Sequence, residues 1–139
     1  MAITTAMCTS FKKELFEAVH DFTSDTFKIA LYDSSATLGA STTAYSTSNE
    51  VSCTGYSAGG VTLTIVAPAT DGTTALVDIG DVSWSGATFA ANGALIYNSS
   101  KSNKAVAVLS FGSVQNVSSA NFNITMPTAA AGTAIVRIN

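Results

Sequence analysis

The chain has 139 residues, enough for one domain whose core needs neither disulfides nor metal, and only 11% of them are charged, with a net charge of -3. That balance, with six scattered Lys and Arg, excludes a surface built to neutralise nucleic-acid phosphates. No run approaches the roughly 20 apolar residues of a membrane-spanning helix. Sparse charge and a mean hydropathy of +0.34 leave a largely neutral surface, which suits a Ser/Thr-coated β domain or one covered in part by partner subunits.

Met1 to Ser10 has neither the basic start nor the apolar run of a signal peptide, so a protein made and kept in a cytoplasm is expected. Residues 6–20 place Met7, Phe11, Leu15, Phe16 and Val19 at helical spacing, with Lys12, Lys13, Glu14 and Glu17 elsewhere. This predicts an amphipathic helix, capped by Thr4 or Thr5, with a Lys13–Glu17 pair on its wet side. Its apolar face either closes one end of a β core or docks on another subunit.

After the polar joint Phe22 to Thr26, Phe27 to Tyr32 is a near-continuous apolar run, the pattern of a strand covered on both faces. Asp33 to Ser48 follows without periodicity beyond Leu38 and Tyr45, a long loop suited to making contacts. Gly55, Gly59 and Gly60 supply a sharp bend but match no phosphate-binding loop. Val61 to Val66 alternates as a strand, with Val61, Leu63 and Ile65 inward, and Pro68 ends it. Asp71-Gly72 then turns the chain into a partner strand from Thr74 to Asp78, extending toward Trp84.

Ala94 to Asn98 and Lys104 to Phe111 form a second predicted hairpin around the polar turn Ser99 to Asn103. Gly112 to Ala120 reads as a polar connection, Asn121 to Met126 as a strand stopped by Pro127, and Thr133 to Ile138 as the last strand. About seven short strands and no crossover helix give an all-β class. The expected architecture is an antiparallel β-sandwich, jelly-roll or immunoglobulin-like, with one N-terminal amphipathic helix. Residues 1–25 form the arm and helix and 26–139 the sandwich, within one structural domain.

No motif for catalysis or for a cofactor stands out. His20, the sole histidine, has Asp21 and Ser24 beside it in sequence, whereas a hydrolytic triad needs its members to converge in space. Asp71, Asp78 and Asp81 lack calcium-loop spacing and read as turn carboxylates. Cys8 and Cys53 lack the neighbours of a zinc site, and read as small hydrophobes in a reducing compartment or a disulfide after release into an oxidising one. The sequons at Asn98, Asn116 and Asn123 matter only in a eukaryotic secretory route. Trp84 is expected in the core, or on the surface as a sugar platform.

The opening Met-Ala-Ile-Thr-Thr-Ala-Met with Ser10-Phe11-Lys12 and Glu14-Leu15, the strand Phe27 to Tyr32, and Thr54-Gly55-Tyr56 with Ala58-Gly59-Gly60 resemble small virion structural proteins of tailed bacteriophages. The later Trp84, the strand Ala94-Leu95-Ile96-Tyr97 and Phe111-Gly112 after Val108-Leu109 extend the resemblance over nearly the whole length. It implies a location in the virion after assembly in the host cytoplasm, with no catalytic or cofactor residues to carry over. One departure is Cys53, where the family pattern is Val-Ser-Gly-Thr-Gly-Tyr; a left-handed backbone there would strain a cysteine. The change also makes a Cys8–Cys53 pairing conceivable, within or between subunits.

The leading expectation from the resemblance is a capsid decoration or cement protein, a homo-oligomer on the major capsid protein or other virion proteins, with trimers as the guess. Its contact residues are then expected on the helix, at Met7, Phe11, Leu15 and Val19, and on the long loop, at Leu38 and Tyr45. A tail or neck component is the alternative, and a host-surface or glycan-binding module is another.

Overall fold

The computed structural model describes residues 2–139. Nine elements occur among them: β1 (Ala6–Met7), α1 (Thr9–Phe16), β2 (Phe27–Tyr32), β3 (Val61–Thr62), β4 (Ile65–Asp71), β5 (Thr74–Ile79), β6 (Val82–Asn98), β7 (Lys104–Ile124) and β8 (Val136–Ile138). They form two antiparallel sheets, ordered β1-β7-β6-β2-β3 and β4-β5-β8, so the fold is all-β and sandwich-like with one N-terminal helix.

The strand β2 falls where its apolar run predicts. It pairs with β6 along its whole length, from Phe27 opposite Asn98 to Tyr32 opposite Gly93. Its other edge is closed in pieces by β3, by Leu63 N–H on the Phe27 carbonyl, by Val51 N–H on the Leu31 carbonyl and by the Tyr56 hydroxyl on Leu31 N–H. Its backbone groups are thus paired along both edges, and five of its six side chains are buried as well.

The helix is shorter than the predicted 6–20. Ala6 and Met7 instead pair with Ala107 and Val108 of β7, and Cys8, not Thr4 or Thr5, is the N-cap, without a side-chain hydrogen bond. At the other end Ala18 adopts φ 56°, with Val19 N–H on the Glu14 carbonyl and Ala18 N–H on the Leu15 carbonyl. Those two bonds form a Schellman motif, and they stop the helix before Val19. The Lys13–Glu17 pair is present at 2.8 Å, but Glu14, expected in the wet face, is buried.

Val61 to Val66 is not one strand. The chain leaves the larger sheet after Thr62 and enters the smaller at Ile65, so an alternating run serves two sheets. Pro68 does not end it: Pro68 lies in the edge strand β4 at a register shift between Val66 and Ala69, a position where no ladder donor is required. The Asp71-Gly72 turn is as predicted, with Asp71 opposite Thr74 and Gly72 at φ 61°.

The largest departure is at the second hairpin. Gly112 to Ala120, read as a connection, continues β7, and β6 begins at Val82, so strands of 17 and 21 residues run alongside each other. Four register shifts absorb their irregular spacing. Polar Ser and Asn residues occupy the exposed side while Val82, Trp84, Ala87 and Phe89 are buried on the other, a half-buried ribbon whose one wet face hides it from an apolar-run reading.

Candidate contact surfaces

Two apolar stripes meet where α1 lies near β8. Helix α1 turns Phe11 and Glu14, three residues apart, into the protein. Phe16, two positions beyond Glu14, therefore falls on the far side and is 95% exposed. Met7, Leu15, Phe16, Ile135 and Ile138 line an open groove of about 680 Å³ whose rim carries Lys12 and Arg137. Ile138, on the edge strand β8, is 57% exposed.

Behind this surface the helix is anchored by a buried polar chain. The Asn98 amide nitrogen lies 2.8 Å from Asp25 Oδ2 and 3.0 Å from His20 Nδ1, His20 Nε2 faces Glu14 Oε2 at 3.4 Å, and Lys104 Nζ reaches the same oxygen at 3.3 Å. Lys101 Nζ stands 3.7 Å from Asp25 Oδ1. Burial pushes the His20 pKa down, although Glu14 and Asp25 pull the other way. Burial works to raise Asp25, but hydrogen bonds from Asp21 N–H and Asn98, with Lys101 nearby, leave it below the usual carboxylate value. Ser24 bonds to Asp21 rather than to His20, and the His20 side chain has no exposed surface, so no substrate atom reaches its ring in this fold.

The long loop is stapled to the sheet by one carboxylate. Glu50 Oε1 accepts the Tyr56 hydroxyl at 2.6 Å and Gly59 N–H at 2.7 Å, and Oε2 accepts the Tyr45 hydroxyl at 2.7 Å. Burial and the Glu50 carboxylate raise the pKa of both phenols, keeping them as donors. Tyr45 stacks on Tyr97 with centroids 4.7 Å apart.

These positions sort the expected contact residues. Phe11 is fully buried in the core beside His20 and Phe22, and is not a subunit contact. Leu38 and Tyr45 are half-buried and engaged within the chain, Leu38 through a bridge to Ile3 and Tyr45 through Glu50 and Tyr97. Met7 and Leu15 do line the groove, while Val19 is half-buried past the helix end. Phe16, which helical spacing placed on the same apolar face as Phe11, is the member of that set left in solvent.

Cys8 and Cys53 are both free. Cys8 is fully buried, its thiol pushed up to about 11 by burial and by Glu14, whereas Cys53 is exposed, so a pairing between them requires opening the fold. Cys53 has no left-handed backbone; that conformation belongs to Gly55, at φ 83°, so cysteine is unstrained there. Trp84 is 4% exposed, among Tyr56 and Phe122, and offers no face to a sugar. Asp71 and Asp81 accept Ala131 and Met126 N–H, and among the described residues no cluster of three His, Cys, Asp or Glu is placed to hold a metal. Among the described residues no helix is long and apolar enough to cross a membrane.

No protein-family model matches this chain, and no curated protein or solved structure matches it either.

Proposed function

We propose that this chain is a structural protein of a tailed-phage virion, acting as a capsid decoration or cement subunit that binds the major capsid protein. Two things support the reading: the sequence resemblance over nearly the whole length, and Phe16, held almost fully in solvent beside an apolar groove. A large aromatic at that exposure costs free energy alone in water and is recovered when a partner covers it. Lys12 and Arg137 at the rim suit a partner segment that is apolar with acidic flanks. On a shell presenting many identical sites, modest contacts of this kind add up through avidity.

The β6–β7 ribbon favours a second reading, a tail or neck subunit, because long strand pairs present extended surfaces to neighbours in a ring. Copy number separates the two. Quantitative mass spectrometry of purified particles is expected to count hundreds of copies for a shell protein and at most some tens for a tail protein; absence from particles refutes both. The glycan-binding alternative keeps the Ser/Thr-rich loops but not Trp84, which is enclosed.

A further inference from the structure

The groove beside α1 follows the outer edge of β8. Arg137 and Ile138 are consecutive, so their side chains leave opposite faces of the strand, yet both line the groove. Strand pairing fixes which backbone groups face that edge. Asp71 and Thr74 pair across a turn of only two residues, so they exchange both backbone bonds. Alternation then turns Ala75 and Val77 toward β8, where they meet Ile138 and Val136. The register shift in this sheet lies in β4, between Val66 and Ala69, and leaves the pairing of β5 with β8 regular. Arg137, opposite Leu76, therefore turns its N–H and C=O outward.

The facing wall is built the same way. Cys8 N–H bonds to the Val106 carbonyl at 2.9 Å, so Cys8 and Ala6 face β7, while Met7 between them turns its backbone outward. Met7 also lines the groove, so two sheet edges border one apolar cleft. The charges at its rim are unmatched: among the described residues Lys13, Lys101 and Lys104 stand in ion pairs, whereas Lys12 and Arg137 stand in none. The Arg137 guanidinium is held instead by the Ala134 carbonyl.

We propose that the groove takes an extended segment of a different protein, apolar at alternate residues and acidic at its ends, which adds to the edge of β8 at Arg137. The inference rests on the groove being the contact surface proposed above, and names the form its occupant takes. A helix satisfies its own backbone and would bury the outward N–H and C=O of Arg137 without partners, at a cost; a strand supplies both. A second copy offering the same edge would set Arg137 opposite Arg137, with Cα atoms about 5.5 Å apart, a like-charge pair that destabilises a sheet. Acidic residues on the incoming strand answer Lys12 and Arg137 instead. The backbone pair fixes register, and covering Phe16, Leu15 and Ile138 supplies most of the affinity.

The test probes purified protein with an array of synthetic, end-capped peptides. Peptides alternating Val and Thr with Asp at both ends are expected to bind, uncharged ones to bind several-fold more weakly, and ones ending in Lys not to bind. N-methylation of two consecutive central residues, which removes a donor from each edge of the peptide, is expected to abolish binding, and a helix-forming Ala/Leu peptide with the same Asp ends is expected not to bind. Arg137→Gln removes only the charge and is expected to level the Asp and Lys peptides. Arg137→Pro also removes the outward N–H without touching a ladder bond, and is expected to abolish binding with the circular dichroism spectrum unchanged. Binding by none of the peptides, equal binding of Asp and Lys peptides to the wild type, binding that survives N-methylation, or preference for the helical peptide overturns the proposal, whether or not Arg137→Pro folds. Failure of the virion reading shows differently, as absence from particles while peptide binding persists.

Discussion

Asn98 holds its amide nitrogen 3.0 Å from Nδ1 of His20, and neither side chain is exposed. The orientation of that amide follows from its other contacts: Oδ1 accepts Ser100 N–H at 3.0 Å and the nitrogen donates to Asp25. Nδ1 must then accept, so the ring is neutral with its proton on Nε2, toward Glu14.

That tautomer sets a pH dependence. A buried His with a depressed pKa takes up its proton in the unfolded chain first. Its contribution to stability is therefore complete above about pH 6.5 and is lost as pH falls from there toward the folded pKa. Because the chain has a single histidine, the window is clean. Thermal unfolding is expected to show Tm falling from pH 7 to pH 5 in the wild type and a flatter profile in His20→Gln. Equal slopes in the two proteins sink the assignment. Asp25, with its lowered folded pKa, adds a separate loss only at more acidic pH, as pH falls through that value.

Ala18 sits at the left-handed position that closes α1, where glycine is the unstrained choice. The penalty for an L side chain there is about 1 kcal/mol, so Ala18→Gly is expected to stabilise the protein by somewhat less than that after the added chain entropy of glycine. Urea denaturation measures it; a destabilised variant would show that the motif does not terminate the helix in solution.

Two glycines with similar dihedral angles are expected to respond very differently to alanine. At Gly60, φ 74°, a Cβ would lie 1.7 Å from the Ile29 carbonyl oxygen in β2. At Gly72, φ 61°, nothing stands within 4 Å. Gly72→Ala is expected to cost about 1 kcal/mol, and Gly60→Ala more than about 4 kcal/mol or failure to fold. Comparable midpoints for the two variants contradict the close approach of loop and strand.

Phe11 and Phe16 share a helix and lie at opposite extremes of burial. Phe11→Ala is expected to cost about 3–5 kcal/mol, the loss typical of a core aromatic. Phe16→Ser is expected to leave stability within about 0.5 kcal/mol while abolishing binding to undecorated capsids, read by co-sedimentation. Undiminished binding by the Phe16 variant removes the groove from the contact.

How far the fold could be read from the chain depended on whether a segment's pattern had one cause. Phe27 to Tyr32 was legible because burial on both faces leaves an unbroken apolar run. Val61 to Val66 was misleading because alternation looks the same whether one sheet or two receives the side chains. Gly112 to Ala120 was hidden because a strand with solvent on one face and a bulge at each end resembles a loop in Ser and Asn content. Glu14 read as solvated since no local signal announces that His20 and Lys104 will meet it; that encounter is tertiary. The groove was half legible, through Met7 and Leu15, but its β8 wall comes from the other end of the chain.

The β6–β7 hairpin also governs the order of assembly. Its turn spans Ser99 to Asn103, so its first pairs close over a short loop, on a timescale of about microseconds. The other large-sheet pairings are remote: Tyr32 must find Gly93, and Ala6 must find Val108. A chain with so few local contacts folds in milliseconds to seconds, and the transient species is a bare ribbon with both edges open. Refolding is therefore expected to become limited by aggregation as concentration rises, with the ribbon as the sticky species.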